Sequence, residues 1–334
     1  MDFRFAFRRY SLPFGHPVRT SRGPWLLREG LYVRIDRPDG SVGLGEAAPL
    51  PAFGTETVDE AEAFCRSLGD RLGDDVLSRV PRGLRSLRNA LSFAIGGPAD
   101  IPRHASLGVA ALLPAGRAAL SEAPPKAEAG FRVFKWKVGV GAPKDEMALL
   151  DDLIGALPAG SRFRLDANGA WDRTTAEKWL DRVSGRPVEF VEQPVAHDSR
   201  GADDCLAGLA ADYPTPIALD ESITNEEDVG RWIDLGWRGY FVVKPALVGE
   251  IRAVLGRLAK AHARVVFSSA LETGIGAQAA LRLAFAWPGK AISLGFGVWP
   301  LFSDSRFDGP AAVPFLRVED VNRINPEALW NAVS

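Results

Sequence analysis

Cysteine, histidine and long apolar runs are scarce in this chain, and each scarcity closes off a class of function. The 334 residues include two cysteines, Cys65 and Cys205, far apart and in no Cys-x-x-Cys pair. Neither a disulfide framework nor a zinc knuckle is therefore expected. The four histidines, His16, His104, His197 and His262, are scattered and read as structural, and there is no His-Glu-x-x-His or Gly-x-Ser-x-Gly. Gly139-Val140-Gly141 lacks the third glycine of a dinucleotide loop and runs into Pro143. No apolar run approaches the roughly 18 residues needed to span a bilayer. The opening Met1-Asp2-Phe3-Arg4-Phe5 has no signal-peptide core, so a soluble, cytoplasmic protein is expected. A net charge of −2 offers no general attraction to nucleic acid or to an anionic membrane. What is present is ordinary for a globular enzyme, with 46% hydrophobic and 25% charged residues. The length suits a large barrel domain with a smaller companion.

Residues 1–102 read as an α+β unit. A strand over 3–10 precedes a loop over 11–23 rich in Pro, Gly and Arg. A hairpin (30–35 and 41–46) turns at Arg37-Pro38-Asp39-Gly40. Residues 47–54 are too rich in Pro and Gly to be regular. A helix over 58–68 opens on a Thr57/Glu60 capping box, and a second covers 84–95. Arg79, Arg82, Arg85 and Arg88 fall at helical spacing and read as a solvated face. From about residue 105 short apolar runs alternate with helical stretches. Strands are expected at 107–111, 132–138, 163–166, 188–191, 217–220, 240–244, 265–268 and 292–294, with helices between them. Eight such units fit a (β/α) barrel over 103–310; an open doubly wound sheet would read similarly. Residues 311–334 are expected to pack back on the rest.

The polar residues decide between these folds. In the strand 131–139, Phe131, Val133, Lys135 and Lys137 share one face. That face begins in a core and ends in two ammonium groups about 7 Å apart. Their repulsion and partial burial are expected to lower a lysine pKa towards that of a general base. The next strands end in Asp166, Glu192, Asp220 and Lys244, at intervals of 26, 28 and 24 residues, one β-loop-α unit each. Ionisable groups are thus delivered to one rim, where barrel active sites are built. Three converging carboxylates need a cation, and hard oxygen ligands favour Mg²⁺ or Mn²⁺. Lys137 and Lys244 flank them from opposite sides, so a carboxylate substrate would present its α-carbon between two amines.

The motifs Lys135-Trp136-Lys137, Leu165-Asp166-Ala167-Asn168, Val191-Glu192-Gln193-Pro194, Asp220-Glu221-Ser222 and Lys244 together resemble the muconate-lactonising subgroup of the enolase superfamily, over nearly the whole chain. The resemblance implies a (β/α)7β-type TIM barrel under an N-terminal α+β capping domain. It implies Asp166, Glu192 and Asp220 as ligands of Mg²⁺, with Mn²⁺ able to substitute, and Lys137, Lys244 and Lys135 as catalytic groups. Within the subgroup, Gly45–Pro51, Arg164 and Phe267–Thr273 are most similar to the o-succinylbenzoate synthase family. That similarity implies syn-dehydration of 2-succinyl-6-hydroxy-2,4-cyclohexadiene-1-carboxylate in menaquinone biosynthesis. Lys137 would remove the α-proton and protonate the departing hydroxide. Lys244 would stabilise the enolate through a cation–π contact, and Lys135 would be Lys137's electrostatic partner. Ser268, Arg164 and Gly295 would contact substrate, and Arg22 would lie in a mobile lid. The same set suits racemisation of N-succinylamino acids or cycloisomerisation, and a non-catalytic binding relative is the remaining alternative. The run Leu294–Trp299 lacks the Asp-x-Asp of dipeptide epimerases.

Overall fold

The computed structural model describes residues 3–20, 23–96 and 100–333, excluding the side chains of 19 and 20. Strands β1 (Phe3–Thr20), β2 (Gly23–Asp36), β3 (Val42–Ala47) and β4 (Arg71–Leu72) form an antiparallel sheet in the order β3-β2-β1-β4. Alternating apolar residues on β1 and β2, among them Phe3, Phe5, Leu31, Val33 and Ile35, bury against helices α1 (Val58–Leu68), α2 (Val76–Arg79) and α3 (Arg85–Ile95). Helix α1 starts on the expected box: Glu60 accepts from the Thr57 N–H at 2.8 Å, and Thr57 Oγ1 accepts from the Glu60 N–H at 3.2 Å. At Gly45 any Cβ would stand 2.0 Å from the Ala90 carbonyl oxygen, so glycine lets β3 press against α3.

The loop expected over 11–23 is instead mostly strand. β1 continues to Thr20 and pairs with β2, its register shifting between Pro13 and Val18. The prolines sit at that irregularity, where a missing N–H costs no ladder bond. Phe14 holds the arm down by stacking on Phe302 at 5.7 Å. Arg22 lies outside the described residues.

The second unit is a curled parallel sheet in the order β12-β11-β10-β9-β8-β7-β6. Its strands are β6 (Ala111–Leu113), β7 (Val133–Lys137), β8 (Arg162–Asp166), β9 (Val188–Glu192), β10 (Ile217–Leu219), β11 (Tyr240–Val243) and β12 (Arg264–Phe267). Helices α4 (Ala118–Glu128), α5 (Pro143–Ala156), α6 (Arg173–Val183), α7 (Ala202–Asp212), α8 (Glu226–Asp234), α9 (Ile251–Lys260) and α10 (Gly274–Ala286) cover its outside. The expected eighth strand is reduced to two bridges, Leu294 to Val109 and Gly295 to Ser268, and these close the barrel. The expected first barrel strand divides in two. β5 (Ser106–Gly108) turns away to pair with β13 (Phe315–Arg317), while β6 enters the barrel. Beyond β13, α11 (Val318–Asn322) and α12 (Pro326–Ala332) bring Leu329 and Trp330 against Tyr10 and Tyr32 of the first sheet. No helix among the described residues is long and apolar enough to cross a membrane.

Buried polar side chains join the two units. Glu46 at the end of β3 accepts from Tyr10 Oη, from the Thr273 N–H and Oγ1, and from the Gly276 N–H, all within 2.6–2.9 Å. A capping-domain carboxylate thus satisfies the first turn of α10, where free N–H groups and the helix dipole favour negative charge. Asn89 on α3 donates to the carbonyls of Pro245 and Val248. The arginine row is no plain solvated face, because Arg85 reaches the Thr224 carbonyl and Arg88 pairs with Glu250 across the boundary. Replacing Glu46 by Ala leaves several buried donors unmet, and we expect Glu46→Ala to lose about 3 kcal/mol or more of stability in urea denaturation.

Candidate active site

The site is built by strand alternation and register. On β7, Phe134 and Trp136 point outward into the helix layer and are fully buried. Lys135 and Lys137 therefore point inward. Lys137 pairs in register with Asp166, and Asp166 with Glu192, so three strand ends stand level at the barrel mouth. Asp220 follows β10 and Lys244 follows β11. Gln193, in the turn after β9, accepts from the N–H groups of Asp220 and Ser222 and fixes the start of that loop. Beside Lys244, the Ser268 N–H donates to the Val243 carbonyl, and Ser268 Oγ donates to the Gly295 carbonyl at 3.3 Å. The expected lysines, carboxylates, Ser268 and Gly295 thus share one rim.

Their charges divide the three lysines into two kinds. Lys135 Nζ lies 2.8 Å from Asp166 Oδ2 and 2.7 Å from Glu192 Oε1. Burial alone would depress this ammonium, but Asp166, Glu192 and Asp220 outweigh it and hold it well above the ordinary lysine range. At Lys135, carboxylates rather than the neighbouring amine dominate the surroundings. Lys244 pairs with Asp220, and its ammonium lies 4.4 Å from the centre of the Phe53 ring. Lys137 differs: its half-buried ammonium makes no hydrogen bond or ion pair among the described residues.

Negative charge exceeds what these lysines compensate. Burial and the neighbouring Asp166 push the Glu192 carboxyl up to about 8. Burial and Asp220 push Glu221 up to about 7, although Asn168 donates to its Oε1. Glu221 Oε2 is buried and has no hydrogen-bond partner. Among the described residues no three carboxylate, imidazole or thiol side chains are arranged to hold a metal as they stand, since ammonium groups interleave with the acids. The donor chemistry nevertheless fits a hard divalent cation: buried, gathered at one rim, oxygen-only and short of positive charge.

Arg164 is not at the mouth. It lies two residues before Asp166, deeper in the barrel, where it donates to Glu189 at 2.8 Å and to the Ser293 carbonyl and lies over Phe190. The register between β8 and β9 shifts at this point, and the extra residue is Glu189, which becomes Arg164's partner. Arg164 is a component of the barrel interior. Phe53, Glu221 and Gln193 escaped the sequence reading. The last two stand beside Asp220 and Glu192 in the chain, which was the available signal; nothing local marked Phe53, which reaches Lys244 from the other domain.

Comparison with known proteins agrees with this architecture. Residues 118–319 match the family described as "Enolase C-terminal domain-like", and residues 4–86 match "MenC, N-terminal domain". The o-succinylbenzoate synthase of Thermosynechococcus vestitus is 40% identical over 301 residues, covering 88% of this chain and 92% of the relative. That of Thermobifida fusca is 30% identical over 93% of this chain and 87% of its own length. The crystal structure of o-succinylbenzoate synthase from Thermosynechococcus elongatus BP-1, complexed with Mg in the active site, superposes with a TM-score of 0.83 at 36% identity, covering 99% of this chain and 100% of that one.

Two outcomes follow from these positions. Arg164→Met leaves Glu189 without its partner, so it should lose about 3 kcal/mol of stability while the KM of the folded variant stays at the wild-type value. Glu272, in the loop after Ser268, is pushed up to about 7 by burial from an ordinary 4.5. Its folded-state value is the higher one, so the stability it confers is present below about pH 4.5 and is lost as the pH rises to about 7, by at most about 1.4 kcal/mol per unit. Denaturation at pH 5 and pH 8 should show a smaller fall for Glu272→Gln than for wild type.

Proposed function

The chain belongs to the o-succinylbenzoate synthase family of the enolase superfamily, and from that membership we propose that it dehydrates 2-succinyl-6-hydroxy-2,4-cyclohexadiene-1-carboxylate to o-succinylbenzoate. The observation that carries the residue assignment is the unpartnered ammonium of Lys137 among acids that engage the other two lysines. Asp166, Glu192 and Asp220 would hold Mg²⁺, and Mn²⁺, which takes the same hard ligands, would serve in its place. When bound, the cation supplies positive charge beside the substrate carboxylate.

The remaining work falls to the chain's own groups. Lys137, in its neutral form, takes the proton from the carbon bearing the carboxylate, and the electron pair left behind is delocalised as an enediolate. The same ammonium then gives that proton to the departing hydroxyl, so water leaves from the face on which the proton was removed. Lys244 stands across the rim and offsets the developing negative charge. Lys135 neutralises Asp166 and Glu192 and keeps them apart. We assign Ser268 and the backbone at Gly295 to the succinyl arm, and Arg22 to substrate binding. The two free thiols suit a reducing compartment, and we assign the protein to the cytoplasm.

Purified protein supplied with Mg²⁺ should turn this substrate over; absence of turnover by folded protein would refute the assignment. Lys137→Ala should lower kcat by about a thousandfold or more while Mg²⁺ binding, followed by calorimetry, stays near wild type.

A further inference from the structure

Arg28 is a buried charge outside the catalytic rim, with 1% of its surface exposed. A guanidinium removed from water is costly unless every donor is met. Among the described residues Arg28 has no carboxylate partner, and its hydrogen bonds all go to backbone carbonyls. On one side, Nη1 donates to Pro49 at 2.9 Å and Nη2 to Ala48 at 2.5 Å. On the other, Nε donates to Leu271 at 3.0 Å and Nη2 to Ala270 at 3.2 Å. The first pair belongs to the capping-domain loop that leads to Phe53, and the second to the barrel loop that follows Ser268. The Trp25 ring covers the group at 5.1 Å.

Both loops bear on the catalytic rim. Phe53 lies over the Lys244 ammonium, and Leu50 and Phe53 pack with Ala270 and Leu247 in a small apolar cluster. Leu271 has a φ of 60°, a conformation that strains a side-chain-bearing residue and persists only where neighbours impose it. Its carbonyl is taken by Arg28, and its N–H donates to Ser269 Oγ at 2.9 Å. Arginine suits this place because its planar fork can address two pairs of acceptors at once, which a lysine ammonium cannot.

We propose that Arg28 is a positioning residue for the reaction: by bridging the carbonyls of Ala48 and Pro49 to those of Ala270 and Leu271, it holds the Phe53 loop in register with the Ser268 loop and so sets the substrate-facing wall of the site. This rests on the dehydratase reading for its kinetic consequence and on the hydrogen-bond pattern alone for its structural one. Arg28 touches no reacting atom. Its loss acts on ground-state and transition-state binding alike and is therefore read in KM.

The test compares Arg28→Met and the milder Arg28→Lys with Arg8→Met. Arg8 also joins the domains, donating to the Trp330 and Val333 carbonyls at 2.7 Å, but it does so at the C-terminal helix. Amide hydrogen exchange should rise over residues 47–54 and 269–273 in the Arg28 variants and stay unchanged over β7 to β9. In Arg8→Met it should rise near 326–333 instead. KM should increase roughly 10- to 100-fold for Arg28→Met, as displacement of a positioning element by about 1 Å does. kcat and Mg²⁺ affinity should change little, and Arg8→Met should keep the wild-type KM. Arg28→Lys serves where the Met variant does not fold. Unchanged exchange in the two loops, an unchanged KM in a folded Arg28 variant, or an equal rise in KM for Arg8→Met would overturn the proposal. If wild-type protein does not turn over the substrate, the dehydratase reading fails, and exchange alone decides the role of Arg28.

Discussion

The structure depends on how a ring of like charges is kept together at one end of a barrel. Four carboxylates, Asp166, Glu192, Asp220 and Glu221, meet three ammonium groups at the mouth. Lys135 lies between Asp166 and Glu192, and Lys244 lies against Asp220. Burial, and then the neighbouring acids, push the Glu192 and Glu221 carboxyls up. A divalent cation is the economical remedy, and with it the third ammonium need hold no carboxylate at all. The Lys137 ammonium is left unpaired among the described residues because the other two lysines engage the acids.

Backbone register turns that ring into a site. Parallel pairing holds Lys137, Asp166 and Glu192 level, and the closing bridge from Gly295 to Ser268 brings the far side of the barrel within reach. The capping domain completes the enclosure through buried polar contacts set among apolar ones, such as Phe14 on Phe302 and Phe53 beside Leu247. Glu46 satisfies the start of α10, Asn89 reaches the loop after Lys244, and Arg28 links two loops that border the rim. Such contacts are directional, so they specify how the domains meet in addition to stabilising the meeting.

The rim was legible in the chain because strand alternation and a repeat of 24–28 residues are local signals. Lys137, Asp166, Glu192, Asp220 and Lys244 needed only the assumption that successive strands are parallel neighbours. Where that failed, a long-range cause intervened. Arg164, expected to contact substrate, lies deeper in the barrel, where the register shift supplies Glu189 as its partner. The Pro-rich stretch after Tyr10 has the composition of a loop, but Phe302, nearly three hundred residues away, gives Phe14 a surface on which the strand can continue. Leu107 has the pattern of a barrel strand, while its strand is claimed by a tail more than two hundred residues later. The bridging roles of Glu46 and Arg28 had no local signature, because each depends on carbonyls or amides contributed by the other domain.

The distinction between the lysines is measured most directly by a crystal structure of the protein with Mg²⁺ and o-succinylbenzoate. The cation should be ligated by Asp166, Glu192 and Asp220, with Lys135 still paired to the acids and the Lys137 ammonium facing the ring carbon that carries the carboxylate. A cation bound elsewhere, or Lys137 drawn into an ion pair with these acids and turned from the product, would contradict it.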